Sequence, residues 1–124
     1  MSHYSRVKTI MRDKDTLLQC LSELGHEAKI YKKVRQYRLP DNAEMSISIN
    51  KRHVSFARNT DNSYDMIADW DLIGSEVQKK FTASLLQRYA LKTIIAQTNQ
   101  QGFNVIENTQ EEDGSIRIVI RRWV

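Results

Sequence analysis

The chain is 124 residues long, 40% hydrophobic and 27% charged, with a formal net charge of +4. That length suffices for one domain with a core of its own, and the composition excludes an intrinsically disordered chain. The one cysteine, Cys20, excludes an internal disulfide, and no apolar run approaches the ~18 residues of a membrane-spanning helix.

The charge is uneven. Residues 1–60 carry 12 Lys/Arg against 6 Asp/Glu, whereas residues 61–124 carry 7 against 9. A basic excess favours acidic partners, nucleic acid among them, although a solvated basic face is the ordinary alternative. No secretory apolar segment opens the chain. Cys20 lies among leucines and reads as a buried structural thiol, so a reducing, cytoplasmic setting is expected.

In chain order, Tyr4–Met11 mixes β-branched, aromatic and basic residues and reads as a strand. Asp13 or Asp15 then caps a helix over 13–24, where Leu17, Leu18, Leu21 and Leu24 mark a packed face and Gly25 the stop. Glu27–Tyr31 is the next strand, with Lys32–Arg38 as a basic extension and Pro40-Asp41-Asn42 as a turn. Met45, Ile47 and Ile49 alternate with Ser46 and Ser48, so Glu44–Asn50 reads as a half-buried strand. A tight turn at Asn50–Arg52 leads into His53–Arg58, and a polar turn at Thr60–Ser63 leads into Tyr64–Asp69.

A long helix follows over 75–101, with Ser75 and Gln78 as a capping box and Gly102 as its end. Val77, Phe81, Leu85, Leu91 and Ile95 share one broad stripe, with Ser84 at its edge and Arg88 near its middle. Phe103–Asn108 and Ser115–Trp123 then form a hairpin across an acidic turn containing Asp113-Gly114. The order implies an α+β fold of two tandem βαββ units forming one mainly antiparallel sheet, with two helices packed on one face. We read residues 1–124 as a single domain whose halves meet near 58/59, with the second sheet face open.

The chain has no GxGxxG, GxxxxGK[ST], CxxC or HExxH, so nucleotide, redox and zinc chemistry have no motif behind them. His3, His26 and His53 are far apart and suggest no metal site, and Ser5 beside His3 lacks an orienting acid. No catalytic residue, metal or cofactor is expected. Two constellations stand out. Asp69 and Asp71 flank Trp70 just before the long helix and are expected partners for Arg88 in a structural ion pair, with Tyr64 in the same group; the alternative is an anion site at the sheet edge formed by Arg88 with Lys92. Tyr4, Arg6 and Lys8 at the start, with Arg117, Arg121 and Trp123 at the end, interleave bases with aromatics as a single-strand nucleic-acid platform does. Edge strands also carry such bases simply to block aggregation.

The segments MSHYSRVKT, YDMIADWDL, QRYALKTI and GFNV…DGSIRIVIRRW resemble, in order and over nearly the whole chain, a family of small proteins of cyanobacterial and algal plastid genomes. That family is known as the hypothetical chloroplast reading frame thirty-five, a domain of unknown function. The resemblance implies that His3, Tyr4, Ser5, Tyr64, Asp69, Arg88, Tyr89 and Trp123 are characteristic positions, and it implies no biochemical role for them. Residues 32–44 resemble it least. It also implies a cyanobacterial cytoplasm or a plastid stroma. The resulting expectation is a non-enzymatic binding or assembly protein with an unidentified protein partner, no membrane span and no assigned oligomeric state. The alternative is single-stranded RNA binding through the basic, aromatic sheet face.

Overall fold

The computed structural model describes residues 4–31 and 42–122. The basic extension and proline turn expected over 32–41, and Trp123, lie outside the described residues. The chain forms two compact units, Met1–Gln87 and Arg88–Val124.

The first unit holds β1 (Ser5–Lys8), α1 (Lys14–Glu23), β2 (Lys29–Ile30), β3 (Ala43–Ile49), β4 (Arg52–Arg58), β5 (Tyr64–Ala68), α2 (Trp70–Ile73) and the first half of α3 (Ser75–Gln100). Its five strands make one antiparallel sheet in the order β1-β5-β4-β3-β2. The sequential strands pair as expected. The opening strand instead crosses to the far side and pairs with β5.

Register assigns the side chains to faces, because opposed residues share a face and neighbours alternate. Val7, Met66, Phe56, Met45 and Ile30 form one row across all five strands, and Val54 opposes Ile47 beside it. Met45, Val54, Phe56, Tyr64, Met66 and Ala68 on this face are wholly buried. Each large apolar side chain so buried stabilises the fold by about 1.5–3 kcal/mol. The helices pack against the sheet, and α1 contributes Leu17, Cys20 and Leu21, all buried. Leu24 and His26 after α1, Ile49 of β3 and Val77, Lys80, Phe81 and Ser84 of α3 line one cleft of about 280 Å³. His26 and Phe81 meet edge to face there, 5.4 Å between centroids. Both helices therefore flank the apolar face.

The helix ends follow from local chemistry. Asp13 caps α1 by accepting from the Thr16 N–H at 3.0 Å. Gly74 closes α2 by donating to the Trp70 carbonyl and opens α3 by accepting from Gln78, at 2.9 and 3.0 Å. Its φ of 103° suits only glycine. The first bond of α3 thus falls one residue before the expected Ser75 cap. The buried row of α3 runs Phe81, Leu85, Tyr89, so its i+4 spacing passes one position beyond Arg88, which is half-buried.

The second unit holds the rest of α3, β6 (Phe103–Gln110) and β7 (Ile116–Arg122), the strands forming a two-stranded antiparallel sheet. Gly102, at φ 83°, stops α3 as expected. Asp113 accepts from the N–H and hydroxyl of Ser115 at 2.9 and 2.6 Å, fixing the turn. The α+β class and the antiparallel pairing agree with the sequence reading. The strands, however, divide between two sheets, because β5 bonds to β4 and β1 while β6 and β7 bond to each other.

Candidate functional site

The second face of the five-stranded sheet is polar. Lys29, Ser46, Ser55, Ile67 and Arg6 form its central row, flanked by Ser48 opposite His53 and by Lys8 opposite Asp65. Its middle is not the open surface expected from sequence. Ser46, Ser55, Asp65 and Ile67 are buried. The Ser46 and Tyr31 hydroxyls share a hydrogen bond at 2.6 Å, bringing Tyr31 onto this face. Arg6 donates to Asp65 at 3.0 Å, and Asn59 donates to the other oxygen of the same carboxylate at 2.8 Å. Asp65 is thus a buried charge with two partners, the arrangement that makes such burial tolerable.

A second polar cluster sits at the rim of the apolar face. β3 carries an extra residue between Ala43 and Met45, and this bulge lets Glu44 reach Arg58 and Tyr64. The Tyr64 hydroxyl donates to Glu44 at 3.0 Å, and the Arg58 Nε lies 2.9 Å from the other Glu44 oxygen. Arg58 also donates to Tyr64 Oη and to the carbonyls of Arg12 and Asn62. Burial first, then the hydrogen bond and charge of Glu44, raise the Tyr64 phenol above its ordinary 10.0, against a smaller lowering by Arg58. The cluster locks β3, β4, β5 and the loop after β1 together.

The margin of the polar face is different, because it is exposed. Two non-glycine residues at positive φ, Asn50 at 49° and Lys51 at 66°, build the two-residue turn between β3 and β4. That turn directs Lys51, Arg52 and His53 toward the end of the sheet, where Tyr4 and Asp69 lie because β1 pairs with β5. Tyr4, Lys51, Arg52, His53, Asp69 and Leu72 line a cleft of about 170 Å³. Tyr4 is 54% exposed and Leu72 57%, and the three basic side chains are exposed. Asp69 is buried, and its carboxylate is fixed by the Leu72 N–H at 3.3 Å as the cap of α2. His53 also lines a cleft of about 390 Å³ with Glu27, Ala28, Lys29, Ser46, Ile47 and Ser48.

Tyr4 and Asp69 share the cleft, Arg6 is paired with Asp65, and Lys8 is exposed on β1. Tyr64 belongs to the Arg58 cluster, and Asp71 is exposed in the first turn of α2. Arg88, Arg117 and Arg121 belong to the second unit, the last two exposed on β7. Sequence reasoning missed Arg58, Glu44, Asp65 and Asn59, and it passed over Lys51, Arg52 and His53. The basic turn after Asn50 was a usable signal for those three. Among the described residues, no group of three or more His, Cys, Asp or Glu could hold a metal ion, and no helix is long and apolar enough to cross a membrane.

A family model described as a protein of unknown function (DUF1257) matches residues 20–119. The uncharacterized protein ycf35 of Pyropia yezoensis is 30% identical over 129 residues, covering 99% of this chain and 98% of that protein. Proteins of the same name from Guillardia theta and Cyanophora paradoxa are 30% and 26% identical, with the same coverage. No solved structure matches.

Proposed function

The chain belongs to the DUF1257 family, a family of unknown function that includes the hypothetical chloroplast reading frame its sequence resembles, and we propose that it acts as a non-enzymatic binding or assembly protein through the exposed margin of its polar sheet face. The observation that carries this reading is Tyr4, more than half exposed beside the exposed Lys51, Arg52 and His53. An amphipathic ring displayed next to cations is the surface chemistry of recognition, where ring area and charge act together. The Arg6–Asp65–Asn59 and Arg58–Glu44–Tyr64 groups are engaged as structural ties, which favours binding over catalysis there. The setting we assign is the cytoplasm, or the stroma for plastid relatives, in keeping with the buried Cys20 thiol.

The test is site-specific photo-crosslinking in native extract. A benzophenone side chain replaces Tyr4 in one variant and the exposed Gln19 of α1 in another. A discrete adduct from position 4 and none from position 19 is expected. Adducts from both, or from neither, overturn the reading.

A further inference from the structure

We infer that the cleft between Tyr4 and the Lys51–Arg52 turn is a nucleotide subsite for single-stranded nucleic acid; this rests on the binding reading and names its partner class. Two features of the cleft, taken together, favour a nucleotide over an acidic peptide, the other anionic macromolecule that basic residues attract.

The first is apolar. Tyr4 and Leu72, both more than half exposed, line the same small cleft. A planar base gains from stacking on the exposed ring; an aspartate or glutamate side chain does not. The second is cationic. Lys51 and Arg52 both line the cleft that holds the ring, so cations are available where a phosphate next to a stacked base lies.

The strand beyond the cleft extends the footprint. Arg6 and Lys8 alternate along β1, so they project to one face about 7 Å apart, and Tyr4 immediately precedes the strand. The Arg6 side chain remains 47% exposed despite its bond to Asp65, and Lys8 is exposed. A single strand whose base occupies the cleft therefore meets further cations along the sheet edge. Lys51 adds a signature of its own, since its φ of 66° places a lysine where a turn of this kind favours glycine.

The experiment is fluorescence anisotropy on the full chain with three labelled probes. These are single-stranded RNA and DNA of ~12 nucleotides, within the usual site size, and polyglutamate of equal charge. At ~50 mM salt the nucleic acids bind and polyglutamate does not, and affinity falls steeply as salt rises. Tyr4→Ala weakens binding about tenfold by removing one stacking contact, and Tyr4→Phe restores it. Lys51→Gly lowers the salt slope by about one without lowering the melting temperature. If polyglutamate binds as tightly and Tyr4→Ala changes nothing, the partner is an acidic protein; the inference then fails while the binding reading survives. If no probe binds at ~50 mM salt, the inference also fails, and the adduct at position 4 judges the broader reading separately.

Discussion

The Arg58 guanidinium lies over the Tyr64 ring, 4.4 Å from its centroid, and also donates to the phenol oxygen at 3.0 Å. One side chain thus binds both the face and the edge of its neighbour, while its Nε holds Glu44 at 2.9 Å. Only a planar, forked cation can do this. Arg58→Ala is expected to cost about 2–3 kcal/mol, because it strands a half-buried carboxylate and the phenol. Arg58→Lys should recover little of that loss. Adding Glu44→Gln to Arg58→Met should recover part of it by removing both charges. Urea unfolding of the three variants checks this, and an unchanged midpoint for Arg58→Ala contradicts it.

Tyr64 gives the same cluster an alkaline limit. Its phenol ionises at a higher pH in the folded chain than at the ordinary 10.0. Below pH 10.0 both states hold the proton and pH has no effect through this group. Above it the unfolded chain releases a proton that the folded chain keeps, so stability falls as pH rises. Absorbance titration at high pH should show one tyrosine ionising only as the fold is lost. Tyr64→Phe should cost about 1–2 kcal/mol at neutral pH by removing the hydroxyl's bonds to Glu44 and Arg58, yet flatten the alkaline decline. A decline of equal steepness in the variant would assign the effect elsewhere.

Local chemistry was legible in the sequence wherever a residue acts within a few positions of itself. The Asp13 cap, the stop at Gly102, the Met45-Ile47-Ile49 alternation and the Asp113-Gly114 turn all appear where spacing put them. What sequence did not show depends on pairing across long separations. β1 pairs with β5, matching Ser5 to Ala68, and no local signal records that choice. The pairing puts Tyr4 beside Asp69 and the Lys51 turn, so the cleft was invisible while its members stood apart in the sequence. Arg58 went unnoticed for a related reason. An arginine at a strand end normally reads as solvated, and only the bulge at Glu44 gives it a carboxylate.

Asn59 is the support on which the buried Asp65 depends. Its side chain donates to Asp65 at 2.8 Å while its own oxygen accepts from the N–H groups of Asp61 and Ser63 at 2.9 and 3.1 Å. One amide therefore shapes the β4–β5 turn and pairs a buried charge. Asn59→Ala is expected to cost about 2–3 kcal/mol, more than a single lost hydrogen bond, because Asp65 loses a partner and the turn loses its brace. Arg6→Ala should cost less, near 1 kcal/mol, since half of that side chain faces water. Thermal unfolding of both variants tests the order. A larger loss for Arg6→Ala would reverse it.

Lys51 separates what the fold needs from what the surface needs. Two-residue hairpin turns with positive φ at both positions favour asparagine then glycine. Asn50 satisfies the first position, and Lys51 occupies the second at φ 66°. A side chain held in that left-handed region costs about 1 kcal/mol relative to glycine. Glycine in turn gives the unfolded chain more freedom, which offsets part of the relief. Lys51→Gly should therefore raise stability by about 0.5 kcal/mol, although it deletes a charged side chain from the cleft. Asn50→Ala should act in the opposite direction, because alanine tolerates positive φ less well than asparagine. Guanidinium unfolding of the two variants, read at unchanged slope, checks the pair. If Lys51→Gly is destabilising, the lysine is held by contacts that support the fold, and its presence needs no ligand to explain it.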